Sequence, residues 1–130
     1  MLREIAAVRQ DTPGLLRRWY EDEYFDLFVW VAPDGEIAAF QLAYDKGGQE
    51  RVLGWDRAAG YLHRGVDSGE ESGFQNMTPL LTTAARFPKY RVIAQFDARA
   101  DALDDSIRRF VRDKAARYFP RARLARRRTR

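Results

Sequence analysis

The stretch that decides the fold runs Phe25-Asp-Leu-Phe-Val-Trp-Val-Ala32, then Pro33-Asp-Gly35, then Glu36-Ile-Ala-Ala-Phe-Gln-Leu-Ala-Tyr-Asp45. Its first segment is apolar except for Asp26 and rich in the aromatic and β-branched residues that suit a pleated surface. Pro33-Asp-Gly35 is turn chemistry, because proline presets φ and glycine accepts a positive one. The whole reads as an antiparallel hairpin. Toward the C-terminus, Lys46-Gly-Gly-Gln49 closes a second hairpin onto residues 50–56, and Arg57-Ala-Ala-Gly60 leads into residues 61–66. Toward the N-terminus, residues 15–21 form a strand and residues 2–8 a short one ahead of Asp11-Thr-Pro-Gly14. Glu21-Asp-Glu23 between two strands is a poor turn by composition.

These turns fix a register. A three-residue loop at Pro33-Asp-Gly35 sets Phe28 opposite Phe40 and Leu27 opposite Gln41. A loop at 46–49 sets Phe40 opposite Trp55 and Leu42 opposite Leu53. One sheet face then carries Phe28, Trp30, Phe40, Leu42, Leu53 and Trp55. The other carries smaller residues, among them Val29, Ala39, Ala43 and Gly54. Both faces are apolar, so both need covering.

Residues 67–76 read as a Gly-, Ser- and Glu-rich loop. Residues 77–82 read as an edge strand at most, since Pro79 cannot donate within a central one. Pro88 suits a helix start. Val92, Ile93, Phe96 and Ala100 follow a 3.6-residue period, although residues 91–96 also fit a strand. Asp104 or Asp105 suits a helix N-cap, and Leu103, Ile107, Phe110, Val111 and Tyr118 make an apolar stripe that Pro120 ends. The expected class is α+β: an antiparallel β-meander of about five or six strands, then one or two C-terminal helices packed on the sheet. Residues 1–120 are expected to form one domain and residues 121–130 an arginine-rich, disordered tail.

The chain has 130 residues, 45% hydrophobic and 32% charged, an ordinary globular mix. It has no cysteine, which excludes a disulfide scaffold. No apolar run approaches the ~20 residues of a membrane helix. A glutamate stands in Met1-Leu-Arg-Glu-Ile5, where a signal peptide needs a basic and then a long apolar region. A cytoplasmic protein with no membrane partner is expected. Of 23 basic residues only Lys46, Lys89 and Lys114 are lysines. That bias fits either GC-rich codon usage or arginine's role in phosphate and carboxylate contacts. Six arginines (Arg121, Arg123, Arg126, Arg127, Arg128 and Arg130) crowd the last ten positions, and removing them takes the net charge from +4 to −2.

One histidine and no cysteine leave little for a metal centre, and none is expected. No cofactor motif occurs, and no Gly-x-Ser-x-Gly elbow. Glu21, Asp22, Glu23 and Asp26 alternate between two faces and cannot converge on Mg²⁺. His63 is the one side chain that titrates near neutrality when unperturbed. The expected register places Gln41, Gly54 and His63 in one row, with the missing side chain of Gly54 as a notch between two polar walls. Asp26 sits alone on the bulky face and needs a cationic partner, for which Arg18, Arg51 and Arg64 are candidates. Residues 19–30 hold six aromatics next to Arg17 and Arg18, a composition shared by cores, interfaces and single-strand stacking platforms.

The expected function is that of a small interaction protein without an evident catalytic centre, working as a homodimer. The warrant is a two-sided apolar sheet with too little helix to cover both faces. One alternative is a nucleic-acid or other polyanion binder using the arginine tail. A second is an enzyme or small-ligand binder using Gln41, His63 and Asp26.

Overall fold

The computed structural model describes residues 1–65 and 86–119. The expected loop at 67–76, the edge strand at 77–82 and the tail at 121–130 lie outside the described residues. Six strands, β1 (Arg3–Glu4), β2 (Leu16–Glu21), β3 (Phe25–Val31), β4 (Ile37–Tyr44), β5 (Arg51–Asp56) and β6 (Gly60–Gly65), form one antiparallel sheet in chain order. Two helices follow, α1 (Lys89–Arg99) and α2 (Asp105–Arg117). The fold is therefore α+β, a meander and then two helices. The ambiguous segment around 88–98 is helical, and β1 is shorter than the expected 2–8, with one further bond from Ile5 N–H to Trp19 C=O.

Helical spacing explains the second layer. Val92, Phe96 and Ala100 recur every four residues on α1 and its end, as do Leu103, Ile107, Val111 and Ala115 on and before α2; all are buried. They pack on Tyr20, Phe25, Leu27, Val29, Phe40, Leu42 and Tyr44. Burying each large apolar side chain contributes roughly 1.5–3 kcal/mol. Edge-to-face ring pairs, Phe25 with Phe96 at 5.9 Å and Trp55 with Phe110 at 5.2 Å, fix the helices on this face. Asp104 occupies the N-cap of α2, but its carboxylate accepts from Arg18 Nη1 at 3.0 Å instead of capping the helix.

The register differs from the expected one in two places. Ala32 N–H bonds to Glu36 C=O at 2.8 Å, and Gly35 takes φ +91°, as a three-residue turn requires. Val31 then pairs with Ile37, but Trp30 pairs with Ala39, so Ala38 is the extra residue of a bulge. Phe28 consequently faces Gln41, and Val29 faces Phe40. The bulge turns both Ile37 and Phe40 toward the helices although they stand three apart. The β4–β5 pairing is as expected: Phe40 faces Trp55 and Leu42 faces Leu53. In the next turn Gly60, at φ +86°, pairs with Asp56, so the loop has three residues and not four. Asp56 Oδ1 accepts the N–H groups of Ala58 at 2.8 Å and Ala59 at 3.3 Å, which tightens it. His63 therefore faces Leu53, and Gly54 faces Leu62.

Candidate interaction surface

Alternation along the strands sorts every side chain onto one of two faces. The helix face carries Phe25, Leu27, Val29, Phe40, Leu42, Tyr44, Leu53 and His63. The opposite face carries Arg17, Trp19 and Glu21 from β2, Asp26, Phe28 and Trp30 from β3, and Gln41 from β4. Gly54 on β5 and Leu62 on β6 complete its middle row. Both helices lie on the first face, and no described element lies over the second.

The second face has an aromatic ridge. Trp19 and Phe28 stack at 5.4 Å with 18° between their planes, and Trp30 lies 6.3 Å from Phe28. The Arg17 guanidinium sits 4.5 Å from the Phe28 ring centre, a cation–π contact. Each indole is pinned by a carboxylate. Trp19 Nε1 donates to Asp26 Oδ1 at 2.9 Å, and Trp30 Nε1 donates to Asp11 Oδ1 at 3.0 Å. The Trp30 bond, helped by Thr12 and Arg17, holds Asp11 below the ordinary carboxylate range. Fixed indoles make a preorganised surface, which lowers the entropy cost of any association.

Asp26 finds its cation in Lys46, at 3.2 Å, and not in Arg18, Arg51 or Arg64. Lys46 also lies 3.7 Å from Glu21. Burial, aided by the charge of Asp26, pushes Glu50 up, against the pull of Lys46. This end of the face is thus a carboxylate cluster around one lysine.

The row of Gln41, Gly54 and His63 does not form. The shorter β5–β6 turn shifts β6 by one residue, and a one-residue shift reverses every side chain. Gln41 is exposed on the open face, whereas His63 lies under the helices. The real neighbours of Gly54 are Gln41 and Leu62. His63 instead joins the Tyr44 hydroxyl through Nε2 at 2.7 Å, with Phe87 and Tyr118 packed on its ring. The two walls of the expected notch are separated by the sheet, which removes the case for His63 as a base acting beside Gln41.

Composition alone missed Asp22. Its side chain is 2% exposed, and its Oδ1 accepts the N–H groups of Tyr24 and Phe25, both at 2.8 Å. The apparently poor Glu21-Asp-Glu23 turn is an Asx turn, and the signal was an aspartate two residues before the chain reverses. Its Oδ2 lies 3.1 Å from Arg99 Nη1, tying the β2–β3 turn to the end of α1.

Among the described residues no group of three or more metal-ligating side chains converges, and no helix is long and apolar enough to cross a membrane. No family model, curated protein or solved structure matches the chain.

Proposed function

We propose that this chain is an interaction protein, not a catalyst, and that it works as a homodimer through the open face of its sheet. The observation that carries this reading is that, among the described residues, helices cover only one face of the sheet. Trp19, Phe28 and Trp30 form a rigid ridge on the other side, and Leu62, 40% exposed, stands on β6 at the far edge of the same face. Aromatic anchors held in place by hydrogen bonds are the usual energetic centre of protein interfaces. The charges disfavour a polyanion as the partner. The edges of both indoles are already bonded to carboxylates, and Glu21, Asp26 and Glu50 crowd one end.

Light scattering at tens of micromolar is expected to report a dimer, the range appropriate to modest affinity. Phe28→Asp and, separately, Leu62→Asp place an unpaired charge in the interface. Each is expected to weaken association by about 100-fold or more while leaving the circular dichroism unchanged. A wild-type monomer at that concentration overturns the reading.

The rival polyanion reading is separated by salt. A single-stranded oligonucleotide is expected to bind the wild-type chain weakly. A chain with Arg121, Arg123, Arg126, Arg127, Arg128 and Arg130 changed to glutamine is expected to bind it equally weakly. A wild-type slope of log K on log salt near −5, from ~0.9 per phosphate contact, that flattens in the glutamine form would make the tail a nucleic-acid interface.

A further inference from the structure

We infer that residues 8–12 are a strap latched to the β2 edge by Gln10, and that this latch sets the positions of the Arg17 guanidinium and the Trp30 indole on the open face. The latch stands on geometry alone; its effect on association rests on the homodimer reading.

The strand register identifies what the latch replaces. Arg3 pairs with Glu21, Glu4 with Tyr20, and Ile5 N–H reaches Trp19 C=O at 2.8 Å. The same count sets Ala7 opposite Arg17. Ala7 instead takes φ +56°, a left-handed conformation uncommon outside glycine, and the main chain leaves the edge there. The Gln10 side chain fills the gap. Arg17 N–H donates to Gln10 Oε1 at 2.7 Å, and Gln10 Nε2 donates to Arg17 C=O at 3.0 Å. The same Nε2 donates to Val8 C=O at 3.2 Å. A carboxamide carries the N–H and C=O of a peptide group, so it completes the ladder where the main chain does not.

The neighbours of Gln10 reach the open face. Arg17 Nη1 donates to Arg9 C=O at 3.1 Å, and Arg17 Nε lies 3.8 Å from Asp11 Oδ2. Asp11 Oδ1 accepts the Trp30 indole N–H at 3.0 Å. The guanidinium held by Arg9 and Asp11 lies 4.5 Å from the Phe28 ring centre and 5.7 Å from that of Trp30. Gln10 thus grips Arg17 at its main chain, while Arg9 and Asp11 grip the side chains of Arg17 and Trp30. Releasing Gln10 releases those contacts together. The other two indoles are held differently. Trp19 bonds to Asp26 of the adjacent strand β3, and Trp55 packs on Phe110 of α2.

Residues 9–12 are all exposed, so the strap closes through hydrogen bonds and not through burial. Segments of that kind open at low free-energy cost. A partner that fits the ridge in this shape favours the closed strap, and the closed strap favours the partner by the same factor. Gln10 is therefore a positioning residue for the interface, acting through Arg17 and Asp11.

The three indoles provide the test. Exchange of each indole N–H is read by NMR in the Leu62→Asp background, which keeps the ridge and is expected to be monomeric. Adding Gln10→Ala is expected to speed exchange at Trp30 by about tenfold or more and to leave Trp19 and Trp55 within about twofold. Asp11→Ala, which removes the acceptor itself, sets the full scale. Gln10→Glu keeps the acceptor for Arg17 N–H and loses both donated bonds, so it is expected to fall between wild type and Gln10→Ala. Unchanged exchange at Trp30, or equal acceleration of all three indoles, overturns the latch. In the otherwise wild-type chain, Gln10→Ala is expected to weaken dimerisation by about tenfold. A loosened Trp30 in a proven dimer of unchanged affinity overturns the coupling to the interface. A wild-type chain that light scattering finds monomeric overturns the homodimer reading alone, and the indole exchange still decides on the latch.

Discussion

Changing Asp22 to alanine is expected to lower the unfolding free energy by about 3 kcal/mol at neutral pH, read from urea denaturation. The carboxylate is buried and has four tasks. It accepts two backbone N–H groups, from Tyr24 and Phe25, faces the Arg99 guanidinium and replaces a conventional turn. Removing it strands two amide donors that the fold shields from water, at a cost of ~1–3 kcal/mol for each unsatisfied group. Arg99 keeps Glu23 at 2.9 Å, which limits the loss on that side. Asp22→Asn retains the acceptor oxygen and loses the charge, so it should recover about half of the stability. Burial raises the Asp22 pKa, but the N–H groups of Phe25 and Tyr24 and the charge of Arg99 outweigh it and hold the carboxyl below its ordinary value. A folded pKa below the unfolded one stabilises the fold at pH above the unfolded value, ~4, and that contribution is lost as pH falls through the folded value. Wild type should therefore lose its advantage over Asp22→Asn below about pH 4. If Asp22→Ala costs less than about 1 kcal/mol, the turn is held by something other than this carboxylate.

The hairpins, the helical stripe and the order of elements were legible because they rest on local chemistry. Pro33-Asp-Gly35 and Gly47-Gly48 mark reversals whatever surrounds them, and the helical stripe of Leu103, Ile107, Phe110, Val111 and Tyr118 has one meaning. The pairing of faces was less legible because it depends on single-residue counts. Ile37 and Phe40 are both large, apolar and three apart, so a strand can bury both on one face only with a bulge between them; the Ala-Ala pair was its trace. Gly60 could end a turn or begin a strand, and the Asp56 carboxylate decided between these by bonding two amides of the loop. That one residue moved His63 from the open face to the core. The candidate site was half legible. The aromatic run from Trp19 to Trp30 was visible, but its division was not: Trp19, Phe28 and Trp30 lie outward and Tyr20 and Phe25 inward. Only the strand register makes that division.

The largest effect on the helix face is expected at His63, where alanine should cost about 3–4 kcal/mol. His63 is 2% exposed. Its ring lies parallel to Tyr44 within 3° and meets Phe87 at 5.4 Å and Tyr118 at 5.8 Å. Phe87 precedes α1 and Tyr118 follows α2, so one imidazole joins β4, β6 and both outer ends of the helical layer. Alanine opens a cavity under all of them, and truncating a buried ring costs ~3–5 kcal/mol. It also removes the Nε2 partner of the Tyr44 hydroxyl. Burial, partly offset by Arg51, pushes that hydroxyl far above the usual tyrosine range, so it stays protonated at any working pH. Tyr44→Phe alone should cost ~1–2 kcal/mol, and the double variant should show a coupling of about 1 kcal/mol in a double-mutant cycle. Additive effects would mean that the two groups merely share a neighbourhood. The sheet separates this cluster from the Phe28 ridge. His63→Ala, measured where it is still folded, should therefore dimerise as tightly as wild type, while Phe28→Asp should stay folded with a midpoint lowered by the lost ring contacts and the lost association, and fail to dimerise. A His63→Ala chain that loses both properties together would show that the two faces are coupled through the sheet.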